Sequence, residues 1–172
     1  NGRIDDTRGN GQSARQGATG AVLTGTYKAD STVLAAQQFE HVYTTEIHEG
    51  LHSAAVERVR SEGHSNVTLL LGDSLELLPG IVERVKSGAV FFLDAHISGG
   101  DSGYNGKDRV PLLKELEIIL SGRVGPSVFI CDDLRFWTTQ KAFDNLDKSI
   151  DYFQNNYAKN AFRAFDLGST EE

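Results

Sequence analysis

Residues 89–93 read Ala-Val-Phe-Phe-Leu without a polar interruption, and the run stops abruptly at Asp94, ahead of His96 and a loop of Gly, Ser and Asp. An apolar run of this length with polar bounds is the pattern of a strand covered on both faces, which delivers polar groups at its carboxyl end. Four other runs share the outline. Ala21–Thr24 ends in Gly25, Val42–Thr45 in Glu46, Val67–Leu71 in Gly72 and Asp73, and Val128–Cys131 in Asp132 and Asp133. In an open α/β sheet, ligands bind outside the carboxyl ends of the strands, so Glu46, Asp73, Asp94, Asp132 and Asp133 are expected to converge on one crevice.

The segments between these runs carry helical spacing. The first is expected to be capped by Asp30 or Ser31 and to turn Thr32, Ala35, Ala36 and Phe39 inward. A second, over about 49–61, places Leu51, Ala55 and Val59 on one stripe and ends at Gly63. The third starts near Ser74 with Leu78, Ile81, Val82 and Val85 inside and Pro79 in its first turns, where proline is tolerated. Pro111 opens a fourth with Leu112, Leu113, Leu116, Ile119 and Leu120 buried, and Ser121-Gly122 closes it. Phe143, Leu146, Ile150, Phe153 and Tyr157 mark a last helix, and 161–165 a sixth strand. Strands alternating with helices at βαβ spacing predict a doubly wound, largely parallel Rossmann-like sheet in a three-layer α/β/α arrangement. Residues 1–20, rich in Gly and polar groups, read as an irregular arm, and 21–172 as one domain.

The net charge of −7 over 172 residues argues against a nucleic-acid partner, which needs clustered Lys and Arg. The sequence contains neither an apolar run long enough for a membrane span nor a signal segment, which predicts a soluble, cytoplasmic protein without a membrane partner. The single Cys131 forms no internal disulfide and reads as an inert strand thiol, and the sequon Asn66-Val67-Thr68 carries little weight without an export signal. With no Met and a first residue Asn1, the sequence is expected to be part of a longer product. It leaves the oligomeric state open.

Four segments resemble the class I, Rossmann-like S-adenosylmethionine-dependent methyltransferases, and more narrowly a branch with these motifs: Thr24-Gly-Thr-Tyr27, Leu93-Asp-Ala-His-Ile-Ser-Gly-Gly100, Pro111-Leu-Leu-Lys-Glu-Leu-Glu117 and Asp132-Asp-Leu-Arg135. The resemblance covers about residues 21–137. It implies that Gly25, Thr26, Tyr27, Ser31 and Thr32 approach the methionine part of S-adenosylmethionine. Glu46 would take the ribose hydroxyls, Asp73 and Ser74 would lie by the adenine, and Asp94 near the sulfonium. Asp94, Asp132 and Asp133 resemble the acid set that holds Mg²⁺ in metal-dependent O-methyltransferases, a hard ion suited to oxygen ligands. The plainer reading of these acids is helix capping or pairing with Arg135.

Asp94 and His96 are the expected catalytic pair, an imidazole being a usable base near neutrality; the plainer alternative is a histidine hydrogen-bonded within its loop. The other histidines, His41, His48, His52 and His64, form no metal-ligand spacing. Residues 98–110 read as a lid, and Tyr27, Tyr104, Phe136 and Trp137 as an apolar wall or as rim packing. The expected activity is O-methylation of a small-molecule or sugar-like acceptor. A second reading is a non-catalytic binding domain on a degenerate methyltransferase scaffold, because Leu23 stands where relatives often carry an acid and Ala29 where many have Gly. A weaker third is a metal-dependent hydrolase using Asp94, Asp132 and Asp133.

Overall fold

The computed structural model describes residues 19–85, 87–95, 111–122 and 124–131. Its elements run β1 (Gly20–Thr24), α1 (Asp30–Ala36), β2 (His41–Glu46), α2 (Glu49–Ser61), β3 (Val67–Leu71), α3 (Ser74–Arg84), β4 (Ala89–Leu93), α4 (Leu112–Ser121) and β5 (Val128–Cys131). Gly20, placed in the arm by sequence, is already the first residue of β1. The rest of the arm, the lid over 98–110, the last helix and the sixth strand lie outside the described residues.

The five strands form one sheet in the order β3-β2-β1-β4-β5, and every pairing is parallel. From β1 the chain steps outward through β2 to β3, then returns to the other side of β1 as β4. The topological switch therefore falls between β1 and β4, whose register sets Thr24 opposite Leu93.

One face of the sheet, carrying Val22, Phe91 and Leu93, packs on Leu78, Ile81 and Val82 of α3 and on Leu112, Leu116 and Ile119 of α4. Phe91 stacks on Phe129 with ring centroids 5.3 Å apart, worth about 0.5–1.5 kcal/mol beyond the area buried. On the other face, Ala21, Leu23 and Val42 meet Ala36 of α1. Ala29 and Val33 pack there with Ala55 and Val59 of α2, against Val67 and Leu69. Among the described residues no helix lies over the β4–β5 half of this second face. Val90 and Phe92 are only partly covered, and Val128 and Ile130 are 45% and 46% exposed. The expected cover of β4 is seen on the first face, and the helix expected over 143–157 lies outside the described residues.

Local signals explain where the helices start and stop. The Asp73 side chain caps α3 by accepting from the Leu75 amide, and the His48 ring caps α2 by accepting from Leu51. At the end of α2, Gly63 at φ 78° donates to Arg60 O and His64 donates to Val59 O, a Schellman closure that a residue with a Cβ would strain. Pro79 is the sixth residue of α3, in its second turn and on its exposed side.

Two expectations for α1 are corrected. Its cap position is Ala29, in the left-handed conformation at φ 65° and with no side-chain cap bond, not Asp30 or Ser31. Asp30 is instead the first helical residue and pairs with Arg58 of α2, which also donates to Lys28 O. The helix ends at Ala36, and Phe39 packs on the sheet from beyond it. Asn66 holds that end, its side-chain amide donating to Ala36 O and Phe39 O, so the nitrogen of the sequon serves the fold.

Gly25 closes the switch point. At φ 80°, a Cβ built on it would stand 2.7 Å from Asp94 O and 3.1 Å from the Asp94 carbonyl carbon, both backbone atoms. Gly25→Ala combines a left-handed conformation with this clash, and should destabilise the protein by about 2 kcal/mol or more, measured by urea unfolding.

Candidate functional site

Three of the five expected acids are described, and all lie at the carboxyl edge of the sheet. Glu46 ends β2, Asp73 follows β3, and Asp94 follows β4. The strand order brings Asp94 to the switch-point side and Glu46 and Asp73 to the other side of β1. His96, Asp132 and Asp133 lie outside the described residues, so neither the catalytic pair nor the metal set is assembled within them. Among the described residues no group of three His, Cys, Asp or Glu side chains could hold a metal ion.

Glu46 is buried, and both of its carboxylate oxygens accept from backbone amides. Tyr27 N donates to Oε2 at 2.8 Å and His48 N to Oε1 at 2.9 Å. The side chain thereby ties the β1–α1 turn to the β2–α2 turn. The turn is fixed a second time by the amides of Gly25 and Thr26, which both donate to Thr45 O at 3.1 and 3.0 Å. The Thr26 hydroxyl is buried at 2.6 Å from the Thr44 hydroxyl and 3.0 Å from Thr45 O, so its bonds run into β2.

Tyr27, also at positive φ (47°), is exposed, as is Ser31. Thr32 is fully buried, with a hydroxyl that has no partner among the described residues. Leu71, opposite Glu46 in the β2–β3 register, and Tyr27, whose amide binds the Glu46 carboxylate, are both about half exposed. Leu23 and Ala29, the two departures from the family pattern, are both core residues: Leu23 faces Ala36 and Val42, and the Ala29 methyl lies with Val33, Ala55 and Val59.

Glu115 of α4 was not among the expected site residues. It is fully buried and accepts from the Thr24 hydroxyl at 3.3 Å, while Thr24 Oγ1 in turn receives the Asp94 amide at 3.2 Å. Burial raises its pKa to about 7, against the hydroxyls of Ser74 and Thr24, which favour its charged form; the charges of Asp73 and Asp94 add to the rise. Its second oxygen, Oε1, has no partner among the described residues. The sequence contained the signal, since 115 stands at i+3 from Leu112 and i−4 from Ile119, in the middle of the buried stripe. Cys131, partly buried on β5, is held as a thiol, its pKa pushed up to about 12 by burial and by the Glu115 charge.

No protein-family model matches the sequence, and no curated protein matches it significantly. Solved structures do match in shape. The O-methyltransferase TomG of Streptomyces achromogenes, involved in tomaymycin synthesis and solved with SAM, aligns with a TM-score of 0.57 at 16% identity, over 83% of this chain and 60% of its own. A candidate methyltransferase from Streptococcus mutans in complex with SAH gives 0.52 at 17% identity, over 77% and 76%. The precorrin 8W decarboxylase from Methanobacterium thermoautotrophicum gives 0.51 at 21%, over 77% and 63%. The chain has the Rossmann-like methyltransferase fold. It spans about three fifths of the length of TomG, and a decarboxylase shares the architecture, so the reaction has to be argued from the site.

The raised Glu115 pKa has a thermodynamic consequence. A carboxyl at about 7 in the folded state and 4.5 when unfolded binds more protons folded, so its contribution falls as pH rises through that window. Urea unfolding of Glu115→Gln and of the unchanged protein at pH 5 and pH 8 should show the variant gaining relative stability at pH 8, on the order of a few kcal/mol.

Proposed function

We propose that this chain is an S-adenosylmethionine-dependent methyltransferase, acting most simply on an oxygen of a small-molecule or sugar-like acceptor. The observation that carries the reading is the switch-point crevice. A glycine turn without a Cβ meets the Asp94 backbone, and a buried carboxylate stands at the end of the next strand, bonded to the Tyr27 and His48 amides. These residues fit the cofactor. Gly25, Tyr27 and Ser31 would line the methionine part, with the buried side chains of Thr26 and Thr32 behind them, Glu46 would face the ribose, and Asp73 and Ser74 would flank the adenine beside Leu71. When bound, S-adenosylmethionine supplies an electrophilic methyl group on a sulfonium.

This chain's own residues would orient and deprotonate the acceptor. Asp94 would hold the acceptor at the crevice, and its charge favours a cationic neighbour. His96 would take the hydroxyl proton, and Asp132 and Asp133 would join Asp94 if Mg²⁺ takes part. The enzyme then supplies mainly alignment and deprotonation. The O-methyltransferase among the structures of this fold supports the acceptor class, and the net charge of −7 supports a partner other than nucleic acid. The fit of the turn is specific in one further respect. Counted from Gly25, Tyr27 and Asp30 stand where a dinucleotide-binding loop needs glycines, which argues against a pyrophosphate ligand on the same scaffold.

Calorimetric titration of the purified chain with S-adenosylmethionine and S-adenosylhomocysteine, with and without Mg²⁺, tests the proposal. Micromolar or tighter binding (about −8 kcal/mol) is expected, with at least about a tenfold loss in Glu46→Ala. A folded protein that binds neither compound would overturn it. The second reading, a binding module without catalysis, draws on Glu46, whose oxygens already serve two loop amides. It predicts no methyl transfer to any acceptor, whereas the enzyme reading predicts turnover that Asp94→Ala abolishes in a folded protein.

A further inference from the structure

The first turn of α4 places a carboxylate where its apolar stripe calls for a leucine. Glu115 lies fully buried beside Leu112, Leu116 and Ile119, and a charged group there costs the fold free energy that an apolar residue would not. Its contacts show what it does instead. Oε2 accepts the Thr24 hydroxyl proton, which commits that proton to α4 and leaves the oxygen's lone pairs to the Asp94 amide. The Ser74 hydroxyl, at the start of α3 and next to Asp73, stabilises the same carboxylate. One side chain is thus joined to the end of β1 and, through the Thr24 hydroxyl, to the Asp94 amide that follows β4.

We propose that Glu115 is a positioning residue: by accepting from Thr24 it orients the hydroxyl that receives the Asp94 amide, and so sets the direction in which the chain leaves β4 at Asp94. It acts through Thr24 and touches neither cofactor nor acceptor. A leucine at 115 would complete the stripe and remove the acceptor. A glutamine would keep a carbonyl oxygen for Thr24 and remove the charge. If Glu115 is packing alone, leucine is the better replacement; if it positions Asp94, glutamine is.

The experiment compares Glu115→Leu, Glu115→Gln and the unchanged full chain by amide hydrogen exchange, reading Asp94 against Val22 in the interior of β1. In Glu115→Leu the Asp94 amide should exchange about tenfold faster relative to Val22, with the melting temperature held or raised, and Glu115→Gln should restore protection. Unchanged Asp94 protection in Glu115→Leu would overturn the proposal, and so would equal loss at Asp94 and Val22. If Glu115→Leu does not fold, Glu115→Met, an unbranched side chain without the carboxylate acceptor, takes its place and must give the same selective loss. A second arm rests on the methyltransferase reading: S-adenosylhomocysteine should bind about tenfold more weakly to Glu115→Leu and not to Glu115→Gln. Absence of binding to the unchanged chain counts against that reading alone, and the exchange result then decides the role of Glu115.

Discussion

The Gly25 α-carbon and the Asp94 carbonyl approach so closely that no methyl group fits between them. The crevice depends on this contact. It sets the β1–α1 turn and the end of β4 side by side at the point where the chain changes direction across the sheet. It also explains why a glycine with positive φ follows the first strand. The Asp94 amide reaches back to both the carbonyl and the hydroxyl of Thr24, at 3.3 and 3.2 Å, so the same junction is fixed by hydrogen bonds as well as by shape.

On the other side of β1 the turn is held by charge. Glu46 gives one oxygen to Tyr27 N and the other to His48 N, and Arg58 binds Lys28 O and Asp30 from α2. A carboxylate accepting backbone amides makes charge-assisted bonds, stronger than neutral ones. Glu46 therefore holds together the two turns that border the crevice, and a ligand that draws on its remaining lone pairs meets an acceptor already oriented.

The sheet and its helices were legible because apolar runs of strand length alternate with helical stripes, and the acids at the run ends fall on one edge once the strands are parallel. What eluded the reading has physical causes. In Pro-Leu-Leu-Lys-Glu-Leu-Glu, Glu115 looks like a solvent residue by type although its spacing is that of the core, and its partner Thr24 lies 91 residues away. The start of α1 was assigned to Asp30 or Ser31 because those side chains cap well. Ala29 holds the position because its methyl is buried with Val33, Ala55 and Val59, which offsets a backbone conformation unfavourable to alanine. Leu23 was read as a missing acid, yet its side chain lies among Ala21, Ala36 and Val42, where a carboxylate would be buried without a partner.

The central place of β1 also bears on the order in which the crevice is made. Its pairing with β2 joins Gly20 to His41, a short loop closed by one helix, whereas its pairing with β4 joins Gly20 to Ala89. Contacts distant along the chain form late because more chain entropy must be lost before they are made. The Glu46 half of the crevice can therefore assemble from neighbouring βαβ units, while the Asp94 half waits for the chain to return across the sheet. During synthesis the β1–β2–β3 part emerges with the edge of β1 unpaired, and β4 is the segment that covers it.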